Sequence, residues 1–172
     1  MTRIIEFSGT VLTGPQTEHH GLRSVDGLLT FHRPAAAPDL VLDGWVIPGL
    51  VDAHCHIGLG PGGDVPEGVA ERQAVADRDA GTLLVRDAGA VHDTRWIQQR
   101  ADLPRLIRSG RHIARTRRYL RGFAVEVEPE DLVEAVRKQA RAGDGWVKLV
   151  GDWIDRDAGD LAGSFPARTL KD

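Results

Sequence analysis

The rhythm of apolar and polar positions changes near residue 49. Before it, short apolar runs (Arg3 to Phe7, Thr10 to Thr13, Gly27 to His32, Leu40 to Ile47) are cut apart by Gly14-Pro15, Asp26-Gly27, Pro34 to Pro38 and Asp43-Gly44. Brief β-prone runs bounded by Gly, Pro and Asp predict strands joined by turns. Residues 1–48 therefore read as a small antiparallel, β-sandwich-like module. After it, apolar strands alternate with helical patterns. Leu50 to His54 reads as a strand, and Glu67 to Ala80 as a helix with Pro66 near its start and Gly81 at its stop. Thr82 to Arg86 reads as a second strand, Thr94 to Arg100 as a short helix, and Arg105 to Arg108 as a weaker third strand. In Glu130 to Arg141, Leu132, Val133, Val136 and Ala140 share one helical face, and Trp146 to Val150 reads as a fourth strand. Strand-helix alternation predicts an α/β class with a parallel sheet or barrel over residues 49–172.

Chemistry concentrates at the predicted strand ends. His54 and His56 flank Cys55, and side chains two apart on a strand project to the same face, so the two imidazoles form half of a metal site. Cys55 faces the other way and reads as a small packed residue. Asp87 closes the second strand, where it either orients a ligand histidine or caps the Ala88-Gly89 turn. Lys148 stands inside the apolar run Trp146 to Val150. A lysine there must be paired, neutralised or snorkelling, and an amine in that position can form a carbamate or a Schiff base. In a (β/α) barrel the C-terminal strand ends carry the reactive groups, and His54, His56, Asp87 and Lys148 all lie at or near such ends.

Composition narrows the field. The chain has 172 residues, a net charge of −3 and 41% hydrophobic residues, a balance that supports an ordinary core. Only three of 22 basic residues are lysine (Lys138, Lys148 and Lys171), so an amine at Lys148 departs from the chain's habit. The single cysteine, Cys55, allows no intrachain disulfide. No apolar run reaches the ~18 residues of a membrane span, and the amino terminus carries no apolar signal segment; a cytoplasmic protein without a membrane partner is expected. Six arginines between Arg108 and Arg121 suggest, read alone, a phosphate or nucleic-acid patch, but aromatic residues are scarce around them and the chain is acidic overall. No nucleic-acid partner is expected. That segment reads as a solvated loop, or as a carboxylate-clamping rim over the site. His92 and His112 read as loop histidines at the surface.

The string Val46-Ile47-Pro48-Gly49-Leu50-Val51-Asp52-Ala53-His54-Cys55-His56-Ile57-Gly58 resembles the first barrel strand of the amidohydrolase superfamily. Gly81 to Gly89 is similar to the second-strand signature of its imidazolonepropionase-like and prolidase-like members, and Lys148 matches the lysine on their fourth strand. The resemblance implies a partial (β/α) TIM-type barrel, about four of eight strands. It implies that His54 and His56 bind one metal and that carboxylated Lys148 bridges to a second. It further implies hydrolysis of an amide-type C–N bond in a small-molecule substrate such as an N-acyl amino acid, a dipeptide or a cyclic amide. Histidine plus carbamate suits zinc, one or two ions, with manganese, iron and cobalt also open.

The family's pattern continues with further histidines on strands five and six and an aspartate on strand eight, whereas no histidine follows His112 here. A whole barrel needs ~200 residues or more. The expectation is therefore the amino-terminal half of a barrel, inactive alone, that forms a homo-oligomer or requires a missing carboxy-terminal half. Two alternatives stand beside it: a non-catalytic half-barrel interaction module, and a metallophosphoesterase-like site served by the arginines. Lys148 argues against the latter, since such sites use carboxylates at that place.

Overall fold

In the computed structural model, which describes residues 2–171, the chain divides into two compact units, Met1–Gly49 and Leu50–Asp172. In the first unit β1 (Ile4–Gly14), β2 (Thr17–Val25), β3 (Leu28–Thr30) and β4 (Leu40–Leu42) form a single four-stranded sheet in the order β3-β2-β1-β4. β4 runs parallel to β1, and the other pairs are antiparallel. The sheet thus departs from the sandwich-like, all-antiparallel module expected above. The two runs expected at Arg3–Phe7 and Thr10–Thr13 are one strand, whose register slips between Phe7 and Thr10. Gly9 lies at the slip, and a Cβ there would collide with the carbonyl oxygen of Gly44. Only glycine lets the two backbones approach so closely.

The second unit is built on three parallel strands, β5 (Leu50–Cys55), β8 (Thr82–Asp87) and β9 (Arg105–Arg108), in the order β5-β8-β9. Parallel neighbours need crossover connections, which α1 (Glu67–Asp79) and α2 (Arg95–Gln98) supply. α1 presents Ala70 and Ala74 to the sheet, where they pack with Ile57, Val85, Ile97, Leu103 and Leu106. Small residues on this helix face bring its backbone near the strands. Between β5 and α1 lies a small ribbon, β6 (Leu59–Gly60) with β7 (Gly63–Asp64), tied to the helix by Gln73, which accepts from Gly58 N and donates to Leu59 O.

Beyond β9 come β10 (Ile113–Arg115) and β11 (Val125–Val127), paired in parallel, then α3 (Leu132–Ala142), preceded by a 3-10 turn over Pro129–Asp131. α3 buries Leu132 and Ala135 against Ile113 and Phe165. A hairpin of β12 (Asp152–Asp155) and β13 (Asp160–Gly163) follows.

The expected fourth strand does not form as such. Trp146–Val150 meets β10 at one bridge, Ile113 opposite Leu149, where Ile113 N donates to Lys148 O and Val150 N donates to Ile113 O. β10 is three residues long, which keeps any ladder on this edge short. The continuous four-strand arc of a barrel is likewise absent. The described strands form a mixed α/β arrangement of separate sheets, with parallel pairing at β5-β8-β9 and at β10-β11.

Candidate metal centre

β5 delivers the two histidines. Near its carboxyl end the register against β8 shifts between Asp52 and Cys55, and Asp52 accepts a hydrogen bond from His54 N across that irregularity. The rings of His54 and His56 lie side by side, 5.5 Å between centroids. His56 Nδ1 is 2.7 Å from Gly89 O, so the ring donates there and leaves Nε2 free as a ligand. Gly89 follows β8 in the left-handed region at φ +116°, and a Cβ on it would stand 2.6 Å from His112 N and 2.9 Å from Gly110 O. The carbonyl that orients His56 is therefore held by a turn that admits only glycine.

Lys148 reaches the same place from 94 residues away. Its Nζ lies 3.1 Å from His54 Nε2. The contact fits an ammonium N–H donating to an unprotonated imidazole nitrogen. Lys148, followed by burial and by His56, holds the His54 pKa below its usual value, which keeps a lone pair on the ring. Thus His54, His56 and Lys148, singled out in the sequence, lie together at one edge of the parallel sheet.

Asp87 does something else. Buried at the end of β8, it accepts from Gly89 N at 3.0 Å and from Thr94, and makes no hydrogen bond to a histidine. It shapes the turn that holds His56 in place. Burial pushes its pKa up to about 6.

Cys55 turns away from the histidines toward Asp77, 3.7 Å from Oδ2, and burial followed by the carboxylates around it raises the thiol to about 12. It is a packed, unreactive residue.

His112 differs from the surface position expected for it. It is 1% exposed, its ring is 5.4 Å from that of His56, and neither ring nitrogen has a hydrogen-bond partner. Burial, then His56 and Arg111, push its pKa down to about 4. A file of rings continues outward, with Tyr119 edge-on to His112 at 5.2 Å and Trp153 on Tyr119 at 4.7 Å. His112 directly precedes the apolar pair Ile113-Ala114, and that was the available sign of its burial. His92 does lie at the surface, paired with Asp64.

The arginine segment is largely structural rather than a solvated loop. Arg108 is buried and pairs with Asp93 at 3.1 Å and Asp144 at 2.9 Å; Arg111 donates to the carbonyls of Phe123 and Gly122; Arg118 grips Asp155 and the carbonyls of Trp153 and Ala162.

Among the described residues no three His, Cys, Asp or Glu side chains converge on a cation position. The donors that do converge are two imidazoles and an amine. They fit a metal once the amine becomes an anion, which carboxylation of Lys148 would achieve.

Similar proteins share this framework. A prolidase complexed with N-methylphosphonate-L-proline superposes with TM-score 0.63 at 21% identity, over 96% of this chain and 51% of its own. Molinate hydrolase gives 0.66 at 18% identity, over 99% and 50%. A further amidohydrolase gives 0.63 at 19% identity, over 87% and 47%. The chain shares the fold of these prolidase, molinate hydrolase and amidohydrolase structures. It spans about half of each of them. Uncharacterized proteins of Mycobacterium tuberculosis and Mycobacterium bovis are 56% identical over 149 residues, 86% of this chain and 40% of theirs. No family model matches the chain. No helix is long and apolar enough to cross a membrane.

Proposed function

We propose that this chain carries the amino-terminal part of the metal centre of a metal-dependent hydrolase, one that cleaves an amide-type C–N bond in a small molecule. The observation that carries the reading is the contact of Lys148 Nζ with His54 Nε2 beside a His56 ring fixed by Gly89. His54 and His56 would hold one divalent ion, zinc by preference for imidazole, and carboxylated Lys148 would bridge to a second. Bound metal would supply Lewis-acid polarisation of the scissile carbonyl and a water of lowered pKa. The chain's own residues keep both rings aligned, hold the His54 pKa down and place Lys148 against His54. An N-acyl amino acid, a dipeptide or a cyclic amide is the substrate class in view, in a cytoplasmic setting.

The second reading, a half-barrel completed by further polypeptide in the same or a partner chain, draws on the open sheet. Leu50, Val51, Leu83 and Ile107 on β5, β8 and β9 are all exposed. Activity then belongs to the completed protein.

The test uses that longer protein. Zinc content by elemental analysis and a carbamate signal in ¹³C NMR after labelled bicarbonate are expected in the wild type. His54→Ala should lose most bound zinc, and Lys148→Arg should lose the carbamate signal together with hydrolysis. Retention of zinc and hydrolysis in both variants would refute the reading.

A further inference from the structure

A cavity of about 1190 Å³ opens between the segment from Arg115 to Arg121 and the β12–β13 turn. Five arginines line it: Arg115, Arg117, Arg118, Arg121 and Arg156. Two of them are committed. Arg118 is paired with Asp155 at 2.6 Å, and Arg115 with Glu128 at 3.7 Å. The guanidinium groups of Arg117, Arg121 and Arg156 have no ion-pair or hydrogen-bond partner among the described residues. Two carboxylates of the lining, Glu126 and Asp157, also lack an ion-pair partner, so the cavity keeps one unbalanced positive charge. Its remaining wall includes the aromatic rings of Tyr119 and Trp153, with Leu120, Ile154 and Thr116 beside them.

We propose that this cavity is an anion subsite for a small organic acid: the free arginines take a single carboxylate, and Tyr119 and Trp153 take the apolar part next to it. Guanidinium and carboxylate match in planar, two-pronged hydrogen bonding. Arg118 braces the site. By holding Asp155 and the carbonyls of Trp153 and Ala162 it fixes the hairpin on which Trp153 and Arg156 are carried. The charge balance favours a monoanion over a polyanion, because a phosphate chain would bring several negative charges against one net positive charge. The aromatic pair is packed edge-on against itself, Tyr119 against Trp153, rather than spaced to receive successive bases.

Tyr119 is the inner wall of the cavity, His112 packs behind Tyr119, and His56 lies beside His112. The packed rings of Tyr119 and the buried His112 therefore separate the cavity from the candidate metal ligands. Anion binding here does not depend on the hydrolase reading above.

The experiment is a ¹⁵N NMR titration of the chain, following the Trp153 indole N–H (assigned with Trp153→Phe), with N-acetyl-L-leucine and with the neutral N-acetyl-L-leucinamide. Saturable shifts with the acid, at least tenfold weaker with the amide, are expected. The triple variant Arg117→Gln/Arg121→Gln/Arg156→Gln should weaken acid binding tenfold or more while its amide spectrum stays native; Arg121→Gln alone serves if the triple variant does not fold. Equal binding of acid and amide, or unchanged binding in the arginine variants, would overturn the subsite. So would tighter, arginine-dependent binding of a single-stranded oligonucleotide, which would indicate a nucleic-acid face. His54→Ala and Lys148→Arg are expected to bind the acid like wild type, so loss of the metal centre and loss of the subsite are read separately.

Discussion

At the scale of single residues, the candidate site is defined by which nitrogen atoms are committed and which are left free. His56 is committed through Nδ1 to Gly89 O, and His54 Nε2 is met by Lys148 Nζ. His112 is committed to nothing, and this has a consequence for stability. An imidazole with no partner is kept neutral by burial, with its pKa down at about 4 against an ordinary value of 6.5. Between those two values the unfolded chain binds a proton that the folded chain does not. Stability is therefore lost as pH falls from 6.5 toward 4. Asp87 acts in the opposite sense. Its raised pKa of about 6 lets the folded state take up a proton that the unfolded carboxyl, at about 3.8, does not yet bind, so its burial penalty is relieved over the same interval. Subtracting one protein from the other isolates the histidine. His112→Phe should fold at pH 7.5 with stability within about 1 kcal/mol of wild type, since it removes a buried unpaired polar group. At pH 4.5 the variant should gain on wild type by about 2–3 kcal/mol. Urea unfolding at the two pH values measures this, and parallel pH profiles would contradict it.

At the scale of elements, the parts readable from sequence were those whose pattern is set locally. β5, α1, β8, β9 and α3 fall within a residue or two of the expected runs, because apolar periodicity and the Gly and Pro punctuation at Pro66, Gly81 and Gly143 are local signals. β10, β11 and the β12–β13 hairpin were not legible. Each is three or four residues long and is held by partners distant in sequence, and the arginine-rich composition around β10 hides two fully buried residues, Ile113 and Ala114. The fourth strand shows the reverse error. Trp146 to Val150 is apolar enough to be a strand, but among the described residues its ladder neighbour is the three-residue β10, which it meets at one bridge. His54, His56 and Lys148 were legible because strand-end chemistry depends on residue type and spacing, whereas His112 and the arginine cavity depend on tertiary packing. Arg108 shows how much that packing decides. Its side chain ties the end of β9 to Asp93 and Asp144, while Gln98 joins Asp144 from α2. Arg108→Met would leave Asp144, and in part Asp93, without their cation in a partly buried setting. Breaking such a pair costs about 3–5 kcal/mol when it is fully buried, and since both carboxylates retain access to solvent the loss should be smaller, about 2 kcal/mol. A midpoint in urea unchanged from wild type would mean that the network carries no net stability.

At the scale of the whole molecule, the second unit leaves both flanks of its main sheet without a strand partner among the described residues. β5 has a partner on one side only, β8, and so does β9. Open edges present unused N–H and C=O groups that invite another strand. They occur together with exposed apolar side chains, Val51 at 60%, Leu83 at 54% and Leu50 at 51%, and with Ile107, which alternates with buried Leu106 and Arg108. Exposed edge and exposed apolar surface in the same sheet make association the expected behaviour of this chain when no other polypeptide covers it. Sedimentation velocity should show the weight-average coefficient rising with concentration across the micromolar range. Val51→Lys combined with Ile107→Lys places charge on that surface without emptying the core formed by Val85, Ile97 and Leu106, so it should reduce association while leaving the thermal midpoint within a few degrees of wild type. A wild-type chain that stays monomeric throughout would mean that these strands are adequately covered already, and the case for a completing partner would fall with it. Association undiminished by the two lysines would instead place the contact elsewhere, with the exposed Leu28, Leu29 and Trp45 of the first unit as the next surface to charge.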